Sequence, residues 1–470
     1  MVPRIGRHAH RRPVQHGWRI IVAVCALAAS ASLLATTAVW QVAAHWAGGT
    51  TSARASDPEA LSQAAPPPAL GEQAERRSAG LAKVLDARAE ALLRGDREGW
   101  LAAVASSAPQ YRQAQALVFR RLQAVHVTAW RYQVHGDAGP LPADRQRVVG
   151  GQAWLIDVTL SYRLAADTRD IQRSQQLTVV QEGDGWRVAA DTDGVTQRDL
   201  WDLGQMYEVD GDRSLIVGTA RHQARLARYA KEVDAAAKRV DAAWGRAWPR
   251  TVVVLVPDDK EQMAQLLGRD STAGMEQIAA VTIGELDRQE GATEASATAD
   301  RIILNPAAFD QMGSLGRQIV LTHEVTHVAT RASAVVSAPL WLEEGFADYL
   351  AYRNTGLSRR EIAKDLIRDV RARKGPTALP DSDSFDAMRH TDVAPAYVAS
   401  WFAVQTIADR SDPDEVVRFY RIATGMDRDG AAVTPDQALA EAFAEVLGTD
   451  EATFESQWLA AVRRLAGRAG

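Results

Sequence analysis

The sequence predicts an α+β protein of two domains behind a membrane anchor, a curved-sheet domain over 79–205 and a helix-rich domain over 210–470. Three observations predict it. A basic N-terminus precedes a long uncharged run, helical and then strand-like patterns follow one another between 79 and 205, and the periodicity turns helical after about 210. The 470 residues exceed what one small core needs, and 46% hydrophobic with 24% charged residues is the balance of a folded chain. A net charge of −5 gives no electrostatic reason for a nucleic-acid partner, and none is expected. Cys25 is the single cysteine, so the chain forms no intramolecular disulfide, and any metal site must use histidine and carboxylate ligands.

Residues 1–19 form a basic segment with Arg4, Arg7, Arg11, Arg12 and Arg19 and no acidic residue. The span 20–40, Ile20 to Trp40, carries no charge, and the next charged residue is Arg54. At about 1.5 Å per residue it reaches roughly 31 Å, the thickness of a hydrocarbon core of about 30 Å. Positive charge before the span predicts a single-pass anchor with a cytoplasmic N-terminus and the rest of the chain outside. The alternative is a cleaved signal peptide, with Ala29-Ser30-Ala31 or Val42-Ala43-Ala44 as small-residue cleavage sites. Both readings export the body. Residues 41–78 are rich in Ala, Gly, Ser and Pro, including Pro66-Pro67-Pro68, and read as a linker.

In the first domain Leu81, Val84, Leu85, Ala89, Leu92 and Leu93 recur at helical spacing, and a short helix follows through Trp100 and Val104. Strands are expected at Leu122–Val134, Ala153–Leu164, Gln176–Gln181 and Trp186–Val188, the last two joined by the hairpin signal Gly183-Asp184-Gly185. Helices followed by a meander of long strands resemble the SnoaL-like cone, a curved sheet around a helix. His126 and His135 read as ordinary strand residues, and the domain as a spacer or interaction module. In the second domain an amphipathic stretch, Ser214–Trp244, precedes strands at Thr251–Val256, Ile278–Ile283 and Arg301–Leu304. Helices then run almost to the end, with Trp401, Phe402, Phe419, Phe443, Phe454 and Trp458 available for the core.

Chemistry concentrates in one helix, opened by Gly313-Ser314, that contains His323-Glu324-Val325-Thr326-His327. Histidines four apart project from one helical face and can bind one ion, while Glu324, turned by about 100°, reaches a water at that ion rather than the ion itself. Pro339-Leu340-Trp341-Leu342-Glu343-Glu344-Gly345-Phe346-Ala347-Asp348-Tyr349 reads as a second helix, which brings a carboxylate back to the histidine pair. Here the chain resembles the gluzincin metallopeptidases, in particular the peptidase MA-like domains with W-L-x-E-G-x-A in the second helix.

The resemblance implies a helix-rich, zincin-like metallopeptidase domain over 210–470 that binds Zn²⁺ through His323, His327 and Glu344. Glu343 competes as third ligand, but one helical step turns it off the face. Glu324 would be the general base for a zinc-activated water, and Asp348, four residues after Glu344, would orient a ligand histidine from outside the ligand set. Tyr397, in Pro395–Trp401, is the transition-state donor this likeness suggests, with His390 a second candidate. Arg301–Leu304 would be the exposed edge strand on which a peptide lies. Two departures limit the likeness. Sixteen residues separate His327 from Glu344, fewer than in the gluzincin aminopeptidases, and no amine-binding motif precedes the helix, so exopeptidase action is not implied. The metzincin pattern fails, because Thr330 and Ser333 stand where Gly and His are needed. The expected function is an extracytoplasmic zinc peptidase acting on peptides or proteins. The alternatives are a non-catalytic envelope interaction protein of zincin-like fold, against which the intact Glu324 argues, and hydrolysis of a non-peptide amide or ester.

Overall fold

The computed structural model describes residues 68–467 except 140, 150–151, 247, 250, 284–285, 288–295, 298–299, 386–389, 391 and 427–432. The expected span at 20–40 lies outside the described residues. Among the described residues no helix is long and apolar enough to cross a membrane.

The first domain begins with α1 (Pro68–Leu93), which buries Leu81, Leu85, Ala89 and Leu92 along one face. Asp96 caps α2 (Arg97–Ala102) by accepting from the Gly99 amide at 2.9 Å, and α3 (Pro109–Leu122) follows. Four antiparallel strands come next in the order β1 (Val127–Gly139), β2 (Ala153–Leu164), β3 (Ile171–Glu182) and β4 (Gly185–Ala190). Period-two burial in β2 sends Ile156, Val158, Leu160, Tyr162 and Leu164 inward, and register shifts along β1 bend that edge of the sheet. The expected strand at Leu122–Val134 begins later than the pattern suggested. Leu122 completes α3, where it is buried with Val118 and Phe119 on one helical face.

The second domain is built on a five-stranded sheet in the order β5, β6, β7, β11, β8. Its strands are β5 (Met206–Asp210), β6 (Ser214–Thr219), β7 (Val252–Val256), β8 (Ala280–Ile283) and β11 (Arg301–Leu304), with the short β9 (Leu286–Asp287) and β10 (Ser296–Ala297) between the last two. Two expectations are corrected here. Ser214–Thr219 is not the start of a helix; every residue of it is buried and it pairs with β5 and β7, so α4 spans only Gln223–Trp244. Arg301–Leu304 is not an edge strand, because β11 lies between β7, to which it is parallel, and β8, to which it is antiparallel. Sequence proximity to the metal-binding motif singled out β11, but strand order is set by long-range pairing, and the two edges are β5 and β8, of which β8 lies next to β11.

Alternation assigns the two faces of this sheet. Ile216, Val252, Val254, Val256, Ile302 and Leu304 join the core formed with α4, α5 (Ser314–Arg331), α6 (Leu340–Tyr352), α7 (Ala394–Arg410) and the later helices. Leu215, Val217, Val253, Leu255 and Ile303 point the other way and share a core with Trp100, Trp130, Tyr162 and Trp201 of the first domain. The first domain is therefore no tethered spacer; it covers one face of the sheet whose other face carries the site. Arg301 seals the seam from mid-sheet. Its guanidinium donates to the Tyr162 hydroxyl at 2.6 Å and pairs with Asp167, both partners buried in the first domain.

Candidate metal centre

The site is carried by two helices that the core forces together. α5 is buried from Ile319 to Thr330, and its hydroxyls are satisfied inside the helix: Thr322, Thr326 and Thr330 donate to the carbonyls of Gln318, Thr322 and Thr326 at 2.7, 2.7 and 2.9 Å. α6 follows after a short connection and is pressed against α7. A Cβ on Gly345 would lie 2.4 Å from the Ser400 carbonyl oxygen, so only glycine permits this crossing. The residue before it, Glu344, is thereby set against α5.

His323, His327 and Glu344 converge and are 0–1% exposed. The two Nε2 atoms are 3.0 Å apart, and Glu344 Oε2 lies 3.2 Å from His323 Nε2 and 3.4 Å from His327 Nε2. A tetrahedral ion with bonds of about 2.0–2.1 Å has ligand atoms about 3.3 Å apart, so the triangle has the dimensions of three corners of a zinc site. The protonation pattern fits as well. His323 Nδ1 lies 2.8 Å from Asp348 Oδ1, which places the proton on Nδ1 and leaves the Nε2 lone pair facing the cluster. Two imidazole nitrogens and a carboxylate oxygen this close in a buried space need a shared proton or a metal cation between them. Neither Glu344 oxygen accepts a well-formed hydrogen bond from a described residue. The group is able to bind a metal, and its donor set is that of zinc.

Around the triangle the carboxylates take different roles. Glu343 points away from the cluster, and its Oε1 accepts from Arg331 Nε at 2.8 Å and Nη2 at 2.6 Å and lies 3.5 Å from His327 Nδ1. Burial opposes ionisation of Glu343, but the Arg331 and His327 charges outweigh it and hold the carboxyl far below its ordinary range. Burial likewise opposes ionisation of Glu344, and the two histidines overcome it, keeping the carboxyl at about 2. Each histidine thus has its own carboxylate behind it, Asp348 for His323 and Glu343 for His327. Glu324, beside His323, accepts from the Thr282 hydroxyl through Oε2 at 2.7 Å, while its buried Oε1 has no hydrogen-bond partner among the described residues.

The remaining expected residues are placed less directly. Tyr397 is buried on α7, edge-on to Phe385 with ring centroids 5.1 Å apart, on the helix that packs along α6. His390 is exposed, whereas the triangle is buried. His126 and His135 lie on the surface of the first domain, against Glu208 and Thr159. Sequence reasoning missed Thr282, Arg331 and the pairing role of Glu343. Arg331 carried a signal, since it follows His327 by four residues and so lies on the same helical face; Thr282 carried none. It also missed a polar cluster inside the first domain, where Arg88, Tyr111, Gln115, Tyr132, Gln175 and Asp202 line a cavity of about 30 Å³. That is room for about two waters.

No family model matches the chain, and no curated protein does. Solved structures similar to it include a two-domain M1 zinc metallopeptidase, a point mutant bound to L-tryptophan, at 14% identity and TM-score 0.32, covering 60% of this chain and 58% of that one. An L-arginine complex of a two-domain M1 zinc metallopeptidase and a complex with a Tyr-Ser-Ala substrate from Deinococcus radiodurans each align at 14% identity and TM-score 0.30, covering 62% of this chain and 59% of theirs. The chain thus spans less than two thirds of those proteins. Likeness of this degree is too distant to assign a family, and none of these matches concerns a SnoaL-like protein.

Proposed function

We propose that the chain is a zinc-dependent peptidase, and the observation that carries this reading is the buried His323–His327–Glu344 triangle with the spacing of a tetrahedral site. Those three residues would hold the ion and leave a fourth position open. Bound there, zinc supplies Lewis acidity, polarising a carbonyl and lowering the pKa of a water towards about 7. Glu324 would serve as the general base, taking the proton of the attacking water and passing it to the leaving amine, which is why an acceptor oxygen with no competing donor among the described residues matters. Asp348 holds the His323 imidazole in the ligating tautomer and orientation, and the Arg331–Glu343 pair lies behind His327, 3.5 Å from its Nδ1. An extended substrate adds its backbone to the edge strand β8, whose Thr282 touches Glu324. Tyr397 is the proposed donor to the developing oxyanion. The basic segment before the uncharged span 20–40 supports a membrane-anchored protein with this site outside the cytoplasm.

Glu324→Gln tests the reading. The zinc-loaded variant should keep its metal and lose about 10²- to 10⁴-fold or more in peptide cleavage, since the near-isosteric amide accepts no proton. An interaction protein has no water to activate; if the variant matches the wild type in a digest of a mixed peptide library, the peptidase reading is overturned.

A further inference from the structure

We infer that Thr282 is a positioning residue for Glu324, pinning one carboxylate oxygen so that the other is held ready as the base. The inference rests on the peptidase reading. Thr282 lies in β8, opposite Ile302, and is 1% exposed. Alternation turns it, with Ala280, toward the helices, on a sheet face otherwise made of Ile302, Leu304, Val254 and similar side chains. A hydroxyl there requires a partner. Its oxygen lies 2.7 Å from Glu324 Oε2 and 3.1 Å from the Glu324 carbonyl. The single hydroxyl proton goes to the closer acceptor, Oε2.

The consequence is directional. The terminal torsion of a glutamate is broad, so an unpinned carboxylate rotates among orientations. With Oε2 tied to the sheet, Oε1 is fixed in place, buried and without a hydrogen-bond donor among the described residues. A general base works only within hydrogen-bond reach of the proton it takes and in a set orientation. The strand that would carry the substrate and the residue that would activate the water are therefore linked by one hydrogen bond.

The test compares Thr282→Val, which exchanges the hydroxyl for a methyl of the same shape, with Thr282→Ser, which keeps it, in the zinc-loaded full-length protein. With a mixed-sequence peptide library as probe, and then any peptide it shows to be cleaved, the valine variant should retain zinc and KM while kcat falls about 10- to 100-fold, and serine should restore most of it. Crystals of the metal-free variants supply a second readout: the Glu324 carboxylate should leave its position in the valine protein and keep it in the serine protein. If Thr282→Val does not fold, Thr282→Ala carries the same comparison. A valine variant with wild-type kcat, a serine variant no better than valine, or an unmoved carboxylate in the valine protein would each overturn the inference. If the wild type cleaves nothing, or no faster than Glu324→Gln, the peptidase reading falls instead, and the carboxylate's position still decides whether Thr282 pins it.

Discussion

At the scale of residues, two adjacent glutamates divide the work. Glu344 faces both histidines, whereas Glu343, one helical step away, is clamped by Arg331 behind His327. Removing a charge from the first takes away a ligand; removing it from the second loosens a ligand that remains. Glu344→Gln should therefore abolish tight zinc binding, while Glu343→Gln should weaken it only about 10- to 100-fold. Competition against a zinc-selective chelator ranks the two, and equal affinities would mean that the third ligand has been misassigned.

Among elements, the crossing of α6 and α7 decides where Glu344 sits. Because a Cβ at Gly345 meets the Ser400 carbonyl, Gly345→Ala must push the helices apart. Overpacking of this kind typically costs about 1–3 kcal/mol. The expected result is a lower denaturation midpoint together with weaker zinc binding, since Glu344 moves with its helix; a variant with wild-type values of both would show that the crossing is not tight. The edge strand is the other decisive element. Among the described strands β8, rather than β11, ends the sheet on this side, and it also supplies Thr282.

For the whole molecule, the shared sheet makes the two domains one cooperative body. Removing the first domain would expose Leu215, Val217, Val253, Leu255 and Ile303 and strand the buried Arg301 charge without Asp167. Breaking a buried pair on one side typically costs about 3–5 kcal/mol. Asp167→Asn should thus lower the stability of both domains together, in a single unfolding transition seen alike by tryptophan fluorescence and by circular dichroism. Two separate transitions, with only the first shifted, would refute the shared core. A tag at Gly470 on intact cells should be removed by protease added outside, and a tag protected until the membrane is broken would reverse the proposed orientation.

What was legible in the sequence is what the chain determines locally. The period of an α-helix puts His323 and His327 on one face, with Glu324 and Arg331 near it, and Glu344 and Asp348 on another, whatever surrounds them. The alternation of β2 and the hairpin at Gly183-Asp184-Gly185 are local in the same sense. Tertiary structure decided the rest. Ser214–Thr219 became a strand because it has a neighbour on each side, and β11 became central because β8 paired outside it. Thr282 meets Glu324 across forty-two residues of sequence, and Arg301 meets Asp167 across one hundred and thirty-four. Helical spacing follows from hydrogen bonds between residues four apart, so a short stretch of chain contains it. Strand order and buried partners depend on which distant surfaces pack together, and no single stretch of the sequence records that.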